Sequence, residues 1–215
     1  MTLRPPTATI RTQVTLPMRF ADGYATAARV FSFDGLVDGG EHLAFALGNR
    51  AAPAGEHDRA VPLIRAHSEC LTGDVFGSQR CDCGPQLREA VERIAEAGGY
   101  LLYLRQEGRG IGLYTKLEAY ALQDTGVDTY EANIALGHRE DERSYVAAAQ
   151  MLHALGVSRV ALLSNNPDKA RQLRSCGVTV TAQVPTGVHV SAANGRYLEA
   201  KARRGGHTLD LPRPS

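Results

Sequence analysis

Tryptophan is absent from the 215 residues, and aromatic residues of all kinds make up 6% of the chain. Charge is nearly balanced, with 24 Lys+Arg against 23 Asp+Glu and a formal net charge of +1. Proteins that grip nucleic acid draw on a basic surface and on stacking aromatics. The near-neutral charge and the absent tryptophan fit such a surface poorly, so no nucleic-acid partner is expected, and any bound anion must be held by local charge. No apolar run approaches the roughly 20 residues of a membrane span. The opening Met1-Thr2-Leu3-Arg4-Pro5-Pro6 carries no signal-peptide core. These absences point to a cytoplasmic protein without a membrane partner. Cysteine is scarce too, four in all. In that compartment they read as thiols or metal ligands before disulfides.

What is present is an ordinary globular composition, 43% hydrophobic and 22% charged, at a length that suits a single compact domain. Residues 1–10 read as a mobile leader, 11–205 as the folded domain and 206–215 as a polar tail. Short apolar or β-branched runs at Val14–Phe20, Tyr24–Phe33, His42–Gly48 and Val61–Ala66 predict a β-rich N-terminal half, with a loop over 51–60. Beyond Cys83 the period changes. Leu87, Ala90, Val91 and Ile94 recur at helical spacing up to Gly98-Gly99. Strands follow at Tyr100–Leu104, Arg159–Leu163 and Val178–Val184. They alternate with helices at Leu113–Asp124, Asp141–Leu155, Pro167–Ser175 and Asn194–Arg204. The expected class is α/β of mixed α+β character.

Cys70, Cys81 and Cys83 form C-x10-C-x-C. Zinc prefers thiolate and imidazole in tetrahedral array, and catalytic sites leave one of the four corners to solvent. Three local thiolates fit that description. A structural site completed by Cys176 or a histidine fits the spacing as well.

Other segments set arginine beside acidic groups: Arg65-Ala66-His67-Ser68-Glu69, Glu107-Gly108-Arg109 and Asp141-Glu142-Arg143. The guanidinium fork matches phosphate oxygens. A glutamate can accept from the N–H edge of guanine. Gly108 and Gly110 let backbone N–H groups approach an anion. Asp141 is expected at a helix N-cap with Arg143 in the first turn, a place where both could equally be ordinary surface residues. Lys169 follows Asn165-Asn166-Pro167-Asp168 at a helix start that could bind phosphate.

Together these stretches resemble GTP cyclohydrolase II. The resemblance is carried by Arg65 to Asp74, Arg80-Cys81-Asp82-Cys83-Gly84, Arg105 to Leu113, Lys116 to Asp124, Asp128 to Asn133 and Leu162 to Pro167, and it spans roughly residues 14–205. It implies zinc on Cys70, Cys81 and Cys83, and Mg2+ with the triphosphate. It also implies substrate contacts from Arg65, Ala66, His67, Ser68, Glu69, Gln86, Glu107, Gly108, Arg109, Thr129, Ser164 and Lys169. Asp141 would be the proton acceptor, Arg143 a nucleophile toward the α-phosphorus, and Tyr120 a participant in ring opening. The family usually carries threonine where this chain has Ser164, and a hydroxyl remains.

The implied reaction converts GTP to 2,5-diamino-6-ribosylamino-4(3H)-pyrimidinone 5′-phosphate, formate and pyrophosphate, the first committed step of riboflavin biosynthesis. A monofunctional homodimer is expected. The alternatives are a paralogue on the same scaffold giving a formyl-bearing product, and a zinc-stapled binding module without catalysis.

Overall fold

The computed structural model describes residues 6–52, 60–139, 141–191, 193–195, 197 and 198. The expected loop 51–60, the helix over 194–204 and the tail 206–215 fall partly or wholly outside them. Within them, seven strands form a single mixed sheet. In chain order these are β1 (Thr9–Arg19), β2 (Ala25–Asp34), β3 (Leu43–Leu47), β4 (Leu63–Ser68), β5 (Gly99–Leu104), β6 (Arg159–Leu163) and β7 (Thr179–Val184). Six helices accompany them: α1 (Leu71–Asp74), α2 (Cys83–Ala97), α3 (Leu113–Asp124), α4 (Thr129–Ala135), α5 (Val146–Ala154) and α6 (Pro167–Ser175).

The strand order is β1-β2-β3-β5-β4-β6-β7. β1, β2, β3 and β5 pair antiparallel in succession, whereas β5, β4, β6 and β7 run parallel. β1 is an edge strand with almost every residue exposed. It tolerates Pro17 because an edge strand need not donate every backbone N–H. Thr9 and Ile10, expected in the leader, open this strand.

In the parallel half, alternate residues face opposite layers, as the two-residue period of a strand requires. Leu63 and Leu101 pack with Ala90, Val91 and Ile94 of α2. Ile64, Leu102 and Leu104 pack with Met151 and Leu152 of α5 and Leu173 of α6. Both faces are covered, so β4 and β5 are apolar nearly throughout. Truncating the fully buried Ile94 to alanine would cost about 2–5 kcal/mol.

The chain leaves β4 through α2 to reach β5 on one side. It later leaves β6 through α6 to reach β7 on the other. The order thus reverses beside β4, and such reversals leave a crevice at the carboxyl ends of parallel strands.

Two helices differ from expectation. α5 starts at Val146, five residues after Asp141. The intended first turn has partners elsewhere: the Glu142 N–H donates to the Arg109 carbonyl and the Tyr145 N–H to Gln172 Oε1. Asp141 is therefore not an N-cap. The sequence reading also passed over α4, although Asp128 caps it by accepting from the Tyr130 and Glu131 N–H groups at 2.8 and 3.0 Å.

Candidate active site

The crevice encloses about 940 Å³ of space, part of it open solvent. β4 delivers the first group of side chains. Arg65 and His67 point to the α2 face and are buried. The Arg65 guanidinium donates to Gln86 Oε1 at 2.6 Å, and Gln86 Nε2 donates in turn to Asp82 Oδ2 at 2.5 Å. Arg65 Nε also points at His67 Nδ1, 3.4 Å away. This fixes the tautomer: His67 Nε2 carries the proton and donates to Asp74 at 3.1 Å. The ring stacks on Tyr103, whose hydroxyl donates to the same Asp74. Burial holds His67 below its ordinary pKa, against the pull of Asp74.

Asp74 also accepts from the Cys70 N–H at 3.0 Å, so the framework behind β4 sets the first sulfur. The three Sγ atoms of Cys70, Cys81 and Cys83 lie within 4.8 Å of one another, with Cys70 and Cys81 3.6 Å apart. Sulfurs at tetrahedral corners about 2.3 Å from zinc stand about 3.8 Å apart, so the donor set fits the ion.

Among the described residues no fourth ligand joins the group. Cys176 is packed with Leu173 and Val178 in the core instead, which removes it as the fourth ligand. Gly73 sits directly behind the sulfurs. A Cβ there would stand 2.9 Å from Cys81 Sγ and 3.1 Å from Cys70 Sγ, closer than packed atoms stand. The thiols titrate as a unit. S–H donation from Cys81 and Cys83, helped by Lys116, draws the charge onto Cys70. Cys81 is pushed up to about 11, chiefly by Cys70.

Lys116 went unassigned in the sequence reading. Its buried ammonium donates to Cys70 Sγ (3.1 Å), Thr72 Oγ1 (3.0 Å) and Glu107 Oε1 (2.8 Å). Lys116 and Tyr120 are four apart on α3 and share a face. Tyr120 lines the crevice with its hydroxyl 3.5 Å from Thr72 Oγ1, and burial raises its pKa. Arg80, also unassigned, lies over the Tyr120 ring.

The loop after β5 adds Glu107, Gly108 and Arg109 to the lining. Glu107 is buried and already accepts three bonds, from the Leu71 and Gly108 N–H groups and from Lys116. Gly108 and Arg109 both adopt positive φ, 62° and 63°. For Arg109, the one such non-glycine residue among those described, this conformation is strained. Its guanidinium lies over the Tyr130 ring at 4.2 Å, while its buried Nη1 has no hydrogen-bond partner.

Asp141 and Arg143 form a pair: the arginine Nε donates at 2.9 Å and Nη2 at 2.5 Å. Burial works against the Arg143 cation, yet Tyr145 and Asp141 hold it above its ordinary pKa. Ser68, Glu69, Thr129 and Lys169 also line it, with Lys169 Nζ donating to the Ala66 carbonyl at 2.7 Å. Three expected residues do not line the crevice: Ala66 contributes that carbonyl, Asp141 stands behind Arg143, and Ser164 Oγ accepts from the Asn166 N–H.

The GTP cyclohydrolase II family model matches residues 10–185. Over 184 residues the chain is 49% identical to a GTP cyclohydrolase-2 of Vibrio cholerae, covering 86% of this chain and 90% of that one. It is 44% identical over 203 residues to a GTP cyclohydrolase-2 of Psychromonas ingrahamii, covering 94% and 98%. A riboflavin biosynthesis protein RibBA of Bacillus velezensis is 50% identical over 197 residues, 91% of this chain and 47% of that longer one. With half of the residues shared along nearly the whole fold, and with the expected cysteines and arginines converging on one crevice, this chain belongs to the GTP cyclohydrolase II family of enzymes.

Proposed function

We propose that the protein hydrolyses GTP at carbon 8 of guanine and at the α–β phosphoanhydride. The products would be formate, pyrophosphate and the diaminopyrimidinone nucleotide that feeds riboflavin biosynthesis. One observation carries the reading: three thiols spaced for a divalent ion and the side chains of Arg65, Arg109 and Arg143 line the same crevice.

Cys70, Cys81 and Cys83 would hold zinc, which when bound supplies Lewis acidity for attack on a weakly electrophilic carbon. The other steps belong to the chain. Tyr120 keeps its proton because burial raises its pKa, so it can donate as the ring opens. Glu107 has one oxygen lone pair left after its three bonds, on Oε2, enough for a single guanine N–H. Gln86 keeps one N–H and one lone pair free after Arg65 and Asp82.

Arg109 and Lys169 place cations beside the phosphates, with Mg2+ entering on the triphosphate. Arg143 acts as a cation aligned by Asp141. Its guanidinium is held charged, which supports electrostatic stabilisation over nucleophilic attack by a neutral arginine. His67, with both nitrogens engaged, serves the framework. A cytoplasmic setting is part of this reading, and the homodimer carries over from the resemblance. Among the described residues no helix is long and apolar enough to cross a membrane.

The test is incubation with GTP and Mg2+, with mass spectrometry of the nucleotide product, assays of formate and pyrophosphate, and metal analysis of the same sample. Formate and pyrophosphate together with bound zinc support the reading. An intact ring, or a retained formyl group, overturns it in favour of a binding module or a paralogue.

A further inference from the structure

The family match ends at residue 185, and the chain beyond β7 does something definite. It folds back over α2 and returns to the crevice. Its start is clamped at Asn165, which exchanges two 3.0 Å hydrogen bonds with the Thr186 backbone. The next clamp is Glu89, on α2. That carboxylate accepts from the Gly187 N–H at 3.0 Å, His189 Nε2 at 2.9 Å and Arg93 Nη1 at 2.8 Å. Arg93 also donates to the Pro185 carbonyl. Asn194, itself buried, then closes a turn by accepting from the Ser191 N–H and donating to the His189 carbonyl, both at 2.8 Å. Past that turn, Leu198 is fully buried and Tyr197 lines the crevice that holds the cysteines and arginines.

Tyr197 stands in the combined field of Cys83, Arg109, Asp82 and Cys81, and burial keeps its phenol protonated. No residue of this segment is given a site role by the sequence, and its composition gives no motif. We propose that Tyr197 is a substrate-binding residue, packing its ring against the bound nucleotide, and that Glu89, remote from the reacting atoms, is the positioning residue that holds it there through the Gly187–His189 clamp.

The proposal rests on the crevice being the GTP site, and its consequences are separable from that reading. An aromatic wall contributes to ground-state binding, so its loss should appear in KM more than in kcat. Tyr197→Ala should raise KM for GTP about tenfold, with kcat within threefold and zinc content unchanged, while Tyr197→Phe stays near wild type. Glu89→Ala should raise KM severalfold, and should add nothing further in the Tyr197→Ala background, because both changes remove the same contact. If Tyr197→Ala does not fold, Tyr197→Leu fills the space without an aromatic face and should show the same rise.

A KM within twofold of wild type in Tyr197→Ala or Tyr197→Leu overturns the proposal. So does a Glu89→Ala effect that multiplies with that of Tyr197→Ala. Formate release from GTP by the wild-type protein measured alongside keeps the two questions apart: if it is absent, the function reading fails first.

Discussion

The two walls of the crevice are built on different principles. On the sulfur side the supporting groups are paired. Asp74 takes the Cys70 N–H, Lys116 takes the Cys70 sulfur, and Gly73 leaves room for the thiols to meet. On the cation side the chain is left wanting. Arg109 sits in a strained backbone conformation with a buried N–H unmet, and Arg143 is held charged beside Asp141. Buried polar groups are normally satisfied, and on the proposed reading the unmet Arg109 N–H belongs to the wall that takes the triphosphate. The sulfur corner is complete in itself once an ion enters it. The cation corner, on the proposed reading, is completed by the phosphates of the substrate.

The sharpest way to separate the walls is Cys81→Ser, which removes one of three thiolates. Formate release should fall at least about a thousandfold with loss of bound metal, while GTP binding by equilibrium dialysis stays within a few-fold. Retained metal, or normal formate, would detach the thiols from the chemistry. The mirror experiment is Arg143→Ala. Removing one preorganised cation from a transition state costs about 10²–10³ in rate, so pyrophosphate release should drop by that factor with metal content unchanged. Pyrophosphate at the wild-type rate would leave Arg143 a rim residue only.

A smaller change probes the backbone behind the sulfurs. Gly73→Ala adds one methyl group at a position where it meets two sulfurs at 2.9 and 3.1 Å. Zinc affinity, read by chelator competition, should weaken about 10–100-fold, the scale on which disturbed supporting contacts act. Unchanged affinity would mean that the loop shifts freely, and that the sulfur wall is less fixed than its contacts indicate.

Much of this contrast was legible before the fold was known, but unevenly. The cysteines, the Glu107-Gly108-Arg109 loop and the helix Leu113–Asp124 follow from local pattern, because a turn glycine, a thiol pair and a helical period each act over a few residues. The helix expected from Asp141 was misplaced because its backbone groups are claimed by Arg109 and Gln172, from elsewhere in the chain. Lys116 and Tyr197 were missed for the same reason. A lysine on a helix reads as surface until Cys70 and Glu107 are brought to it, and nothing near Tyr197 in sequence says that the chain doubles back through Glu89. Local chemistry could be read directly; convergence needed the sheet.

The mildest effect concerns the acid side of the cation wall. Asp141 has its carboxyl held below the usual aspartate value; burial opposes this, and the Arg143 guanidinium and N–H outweigh it. A depressed folded-state pKa contributes stability that is fully present above the unfolded value, near 3.8, and is lost as pH falls through the folded one. The side chain is 37% exposed, so solvent screens the pair and its share of global stability is small. Melting curves by circular dichroism should therefore show Asp141→Asn slightly less stable than wild type at about pH 6, with the gap closing as pH drops below about 4. A gap that persists in acid would mean that Asp141 works through its shape and N–H contact rather than its charge. Arg143 would then owe its alignment to the loop, and the cation wall would be as fully built as the sulfur wall.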